Sequence, residues 1–129
     1  MAIKYRVRTK PDNIGKRETP KYYAVPVQRG VADIKVLSER LAERSSMSRS
    51  DVYGVIIGLV PLIEEYLHDG YAVKIDELGI FSLSASSEGF DTPEECTPHL
   101  VHAKKICFRA DKQLKKQLKN VKFERDKKV

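Results

Sequence analysis

The chain has 129 residues, 24 lysines and arginines against 18 aspartates and glutamates, and a net charge of +6. Its 41% hydrophobic content suits one ordinary domain and is too high for wholesale disorder. Two cysteines rule out a disulfide framework, and the longest uncharged apolar run, Val52 to Ile63, is too short for a membrane span and contains Pro61.

Residues 3–8 alternate Ile3, Tyr5 and Val7 with Lys4, Arg6 and Arg8, which predicts a half-exposed strand. Residues 9–20 hold Pro11, Asp12, Asn13, Gly15 and Pro20 and read as a loop. Residues 21–27 read as a second strand, which Pro26 assigns to a sheet edge. Together they make a hairpin with a long loop.

Asp33 is a candidate N-cap for a helix over 34–44, with Ile34, Leu37 and Leu41 on one face. Ser48, with Asp51 three residues on, starts a second helix that runs to about Leu67. Its apolar positions, from Val52 and Val55 to Ile63, Tyr66 and Leu67, keep helical spacing, and Gly70 is the stop. Pro61 lies inside this helix and predicts a bend. So much apolar surface on two helices invites dimerisation.

Strands follow over 71–76 and 80–84, joined by a turn over 76–79 with Gly79 as its flexible position. Residues 85–99 are poor in apolar side chains and read as an exposed excursion. Residues 101–109 return as a strand, and 111–119 form a short helix with Lys112, Lys115, Lys116 and Lys119 outward. Val121 and Phe123 lead into a basic tail that is a candidate last strand beside residues 3–8.

The charge is unevenly placed. Residues 1–30 carry eight basic and two acidic side chains, and residues 109–129 carry nine and three, while the middle is mildly acidic. The ends are either two solvated tails or one strongly basic surface; charge alone leaves both open. Cys96, His99 and His102 lie close in sequence, but without a clear fourth ligand they read as ordinary polar residues of the excursion. No nucleophile–base set, phosphate loop or paired-carboxylate motif is present, so the chain reads as neither an enzyme nor a cofactor carrier. The N-terminal residues lack an apolar stretch of secretory type, so an intracellular protein with free thiols is expected.

The order of elements, with Leu37, Leu41 and Ala42, then Met47-Ser48-Arg49-Ser50-Asp51-Val52, Gly70 to Ile75, Leu78-Gly79-Ile80-Phe81 and Phe108 to Lys115, resembles the bacterial HU/IHF family of histone-like DNA-binding proteins. The resemblance covers about residues 32–120, and the strand-like start and the Lys122-Phe123-Glu124 ending resemble an HU-related branch with an N-terminal extension. It implies an α+β fold: an HU/IHF-like helical body, an antiparallel sheet with a β-ribbon arm, and an intertwined homodimer. The domains would be a basic β-hairpin extension over 1–30 and an HU/IHF-like domain over 31–129, with the arm over about 85–104 and a basic helix and tail over 109–129.

The resemblance further implies a cytoplasmic, nucleoid-associated protein that binds double-stranded DNA with low sequence specificity, with bending or compaction of the duplex. No membrane, small-molecule substrate or cofactor is implied, and phosphate charge alone leaves RNA open as a partner. Lys112 and Lys115 match phosphate-contacting positions of the family, and Arg109 stands at a Lys-like one; Lys116 and Lys119 extend the stripe. Pro93 falls near the family's wedge proline. Its surroundings, Asp91-Thr92-Pro93-Glu94-Glu95, are acidic where the family has arginines, which favours a plain polar turn. Lys4, Arg6 and Arg8, with Lys10, Lys16, Arg17, Lys21 and Arg29, can replace the lost arm charge or can simply solvate a sheet edge. The alternative from another class is a dimeric protein-interaction or structural module that keeps the fold without wrapping DNA.

Overall fold

The structure, a computed structural model, describes residues 2–10 and 20–127. Contacts divide it into two compact units, residues 1–32 with 117–129, and residues 33–116.

The first unit is a three-stranded sheet in the order β2-β1-β6. Strands β1 (Ile3–Lys10) and β2 (Lys21–Pro26) pair antiparallel from Tyr5 opposite Pro26 to Lys10 opposite Lys21. Strand β6 (Phe123–Arg125) lies parallel to β1 on its other side, with Ile3 opposite Phe123. The tail strand therefore takes its expected place, and β2 is an edge strand, where Pro26 costs no ladder bond. The expected loop over 9–20 lies outside the described residues from 11 to 19, and Lys16 and Arg17 with it.

The second unit opens with α1 (Ile34–Glu43) and α2 (Arg49–His68). Asp33 Oδ1 accepts from the Val36 amide at 3.0 Å, and Ser48 Oγ from the Asp51 amide at 3.2 Å, so both helices start on their expected caps. Gly70, at φ +90°, follows the end of α2. The helix is continuous through Pro61.

Helix α1 packs on α2 through a different stripe from the one expected. Ser38 is its buried residue, with Ile34 and Ala42 half-buried, whereas Leu37 and Leu41 stay about half exposed. Residues 34, 38 and 42 follow i, i+4 spacing, so the contact stripe runs beside the leucines rather than through them.

The unit closes with an antiparallel sheet of β3 (Val73–Ile75), β4 (Gly79–Ser86) and β5 (His102–Ala110). Strand β3 is shorter than the expected 71–76. Register puts Val73, Phe81 and Phe108 in one cross-strand row, and the two phenyl rings meet at 4.9 Å between centroids. Lys74, Ile80 and Arg109 form the next row, which faces the opposite way. The sheet therefore has an apolar face and a polar face.

The ribbon ends where Ser86 pairs with His102, and the exposed excursion beyond it holds two 3-10 turns, Pro93–Glu95 and Pro98–Leu100. Pro93 and Pro98 each open one of these turns, and neither has an amide to give to a ladder. The helix expected over 111–119 is only the four residues of α3 (Lys112–Lys115), followed by a 3-10 turn at Leu118–Asn120. A run of lysines with few apolar positions gives a helix little face to bury.

Hydrophobic burial is sparse. Val52 and Leu67 are the buried hydrophobic residues among those described. Along α2, Val55, Leu59, Leu62 and Tyr66 form an apolar stripe at helical spacing, and Val55 is 62% exposed.

Candidate nucleic-acid interface

The turn joining β3 to β4 positions the cations of the second unit. Glu77 takes φ +70° and Gly79 φ +154°. Only Gly79 was expected to carry unusual backbone; Glu77 adds a left-handed residue that a side chain rarely adopts. Glycine is required at 79 for space as well. A Cβ there would meet the Arg109 carbonyl oxygen and, at 2.8 Å, the Phe108 ring.

From this turn, the Leu78 carbonyl accepts a 2.9 Å hydrogen bond from the Asp111 amide. Asp111 in turn caps α3, its Oδ2 accepting from the Gln113 amide at 3.0 Å. The chain leaving β5 is thus pinned to the turn, and α3 starts at a fixed point beside it. Lys112 and Lys115, three residues apart, come to one side of α3.

The result is an open depression of about 420 Å³ lined by Lys74, Gly79, Ile80, Arg109, Ala110, Asp111, Lys112 and Lys115. Four cationic side chains surround it. Its one acid, Asp111, already accepts from a backbone amide. Lys74 also has Asp76 at 4.0 Å, but both side chains are mostly exposed, so this pair is screened and leaves most of the Lys74 charge available. Lys116 joins Lys112 and Lys115 around an adjoining shallow depression. Four cationic side chains on an open surface can hold an anionic backbone.

Of the expected contacts, the structure brings together Arg109, Lys112, Lys115 and Lys116. Lys119, Lys4, Arg6 and Arg8 belong to the first unit. There Arg6 Nε donates to Asp126 Oδ2 at 3.1 Å, and Lys4 stands opposite Glu124 in the β1–β6 register. Pro93 is exposed at the start of its 3-10 turn, where Thr92 Oγ1 donates to Glu95 Oε1 at 3.1 Å. Among the described residues, no group of three or more His, Cys, Asp or Glu side chains is placed to hold a metal, and both cysteines are free. No helix among them is long and apolar enough to cross a membrane.

Sequence reading missed Lys74. Its signal was a lone cation between Val73 and Ile75, but its place beside Arg109 depends on the registers of two strand pairs. A further depression lined by Lys35, Ser38, Arg49, Ser50 and Tyr53 adds two cations near the start of α2.

Known structures share this architecture. A crystal structure of a provisionally assigned bacterial DNA-binding protein from Bacteroides vulgatus ATCC 8482 superposes with a TM-score of 0.63 at 13% identity, covering 99% of this chain and 50% of that one. The present chain therefore spans half the length of that protein. Anabaena HU, solved in a cocrystal with DNA, superposes with a TM-score of 0.50 at 16% identity, covering 67% of this chain and 96% of the other. At these identities the likeness is one of fold. No curated protein matches the chain. The family model described as an HU domain fused to wHTH, Ig, or glycine-rich motif matches residues 1–125, and the chain belongs to that family.

Proposed function

We propose that this protein is a histone-like, nucleoid-associated protein of the cytoplasm that binds duplex DNA as a homodimer, through phosphate contacts and with little sequence preference. The observation that carries this reading is the depression ringed by Lys74, Arg109, Lys112 and Lys115. Lys116, Lys119 and Arg8 supply further positive charge, whereas Arg6 is paired with Asp126 and Lys4 stands opposite Glu124. The likeness to Anabaena HU, whose structure was solved with DNA, supports the same partner.

The homodimer is supported by the uncovered apolar stripe of α2. A helix that is apolar on most sides belongs in an interior, and a second copy of the chain supplies one. Each dimer would then carry two cationic depressions, two seats on one duplex for compacting it. Wedge insertion by the arm has no part in the proposal, because Glu88, Asp91, Glu94 and Glu95 surround Pro93 with negative charge.

The test is fluorescence anisotropy with a labelled random-sequence duplex of about 30 base pairs, titrated at several salt concentrations. Saturable binding that weakens steeply with salt is the expected result. Absence of binding at low salt would overturn the reading and leave the protein-interaction module, with the acidic distal arm as its first surface to probe.

A further inference from the structure

The polar face of the β2-β1-β6 sheet differs from the depression in one respect: it carries an aromatic ring among its cations. Alternation along β1 puts Lys4, Arg6 and Arg8 on one face, and the β1–β2 register adds Val25 opposite Arg6 and Tyr23 opposite Arg8. Lys21, two residues before Tyr23 on β2, shares that face. Tyr22 is on the other.

Among the described residues, acids face this charge at one end only. Beside β6, Arg6 is bonded to Asp126 and Lys4 stands opposite Glu124. Beside β2, Arg8 lies opposite Tyr23, and Lys21 lies opposite Lys10, so that end has no acid in register. Among the described residues, neither Arg8 nor Lys21 forms an ion pair. Tyr23 is 48% exposed, a large ring held on a paired strand with no ring packed against it among the described residues.

We propose that this end of the sheet binds single-stranded nucleic acid, with Tyr23 stacking against an unpaired base and Arg8 and Lys21 contacting the flanking phosphates. A duplex keeps the faces of its bases stacked inside, so it has little to offer the Tyr23 ring. An unpaired strand presents both a base face and a phosphate chain, which is the combination this surface matches. The chemistry is common to DNA and RNA single strands. The inference does not depend on the duplex reading, and its test separates the two.

The chain contains no tryptophan, so Tyr23→Trp introduces a single indole. Titration of that variant with oligothymidylate and with oligouridylate, each about 12 nucleotides long, should quench and shift the indole emission as a base stacks on it. In anisotropy on the same oligonucleotides, Tyr23→Ala should weaken binding about tenfold, and Tyr23→Phe should retain it. Tyr22→Ala, on the adjacent residue and opposite face, should change nothing. Arg8→Gln and Lys21→Gln should each lower the salt slope by about 0.7.

Duplex affinity should survive Tyr23→Ala, and single-strand affinity should survive the double substitution of Lys112 and Lys115 by alanine. An unquenched indole at saturating oligonucleotide would overturn the proposal. So would equal losses from Tyr22→Ala and Tyr23→Ala, or a loss in Tyr23→Phe as large as in Tyr23→Ala.

Discussion

Arg6 and Asp126, 120 positions apart in sequence, are joined by a 3.1 Å hydrogen bond from Nε to Oδ2. The bond lies just past the end of β6, where the Asp126 amide also donates to the Tyr5 carbonyl at 2.8 Å. Asp126 is buried while Arg6 is about two-fifths exposed, so the pair ties down the tail rather than adding a surface charge.

Replacing Asp126 by alanine should therefore loosen β6. Because Arg6 is partly solvated, the expected cost is modest, about 1 kcal/mol. The Ile3 amide, bonded to the Lys122 carbonyl at 2.8 Å, reports on this pairing. Its hydrogen exchange should accelerate roughly fivefold, while amides in α2 should be unaffected. Unchanged exchange at Ile3 would mean that the backbone ladder alone holds the strand.

The cationic depression gives a graded prediction for duplex binding. Lys112→Ala and Lys115→Ala should each reduce the slope of log affinity against log salt by about 0.9, the value for one lost phosphate contact. Lys74→Ala should do the same, because it lines the same depression from β3. The losses should be nearly equal on duplexes of different sequence. A slope unaffected by Lys74→Ala would remove β3 from the interface.

Gly79 is fixed by both backbone and space. Alanine there must take a φ of +154° and press its Cβ on the Arg109 carbonyl and the Phe108 ring. The strain and overpacking together should cost about 2–4 kcal/mol, read as a lowered midpoint in urea denaturation. Because Asp111 bonds to Leu78 in the same turn, duplex affinity should fall as well, even though glycine carries no charge.

Much of this architecture is readable in the sequence because it rests on local signals. Asp33 and Ser48 mark their helices as caps, alternation marks β1, and Pro26 marks an edge. Arg109, Lys112 and Lys115 are legible through the ordered motifs that resemble the HU/IHF family, which end on the run from Phe108 to Lys115. The misses depend on information that is not local. Lys74 reaches the depression only through two strand registers, and Arg6 is compensated by a residue at the far end of the chain. In α1, the buried stripe passes through Ser38 rather than Leu37 and Leu41, because the packing partner and not hydrophobicity decides which side faces in.

The exposed stripe of α2 tests the homodimer. Val55 and Leu62 are 62% and 50% exposed in the single chain, where glutamate would cost little. In a dimer that covers them, Val55→Glu or Leu62→Glu would bury a charge without a partner. Sedimentation should therefore give a dimer for the unmodified protein and a shift to monomer in either variant. Helical content should fall with it, since a chain with so small a core of its own depends on its partner to fold. A monomeric unmodified protein would rule the homodimer out.

Pro93 is the last of the inherited positions to be tested. In this chain it opens a 3-10 turn whose next two residues are glutamates, and Thr92 bonds to one of them. A proline so placed meets phosphate repulsion before it reaches a base step. Pro93→Ala should therefore leave duplex affinity within about twofold and leave the bend unchanged, read by energy transfer between dyes at the duplex ends. The contrasting variant is Glu94→Gln with Glu95→Gln, which removes two negative charges from the turn. Duplex affinity should rise with that change at low salt, and the gain should shrink as salt is added. A bend lost in Pro93→Ala would instead make the distal arm a wedge and place its acids away from the phosphates.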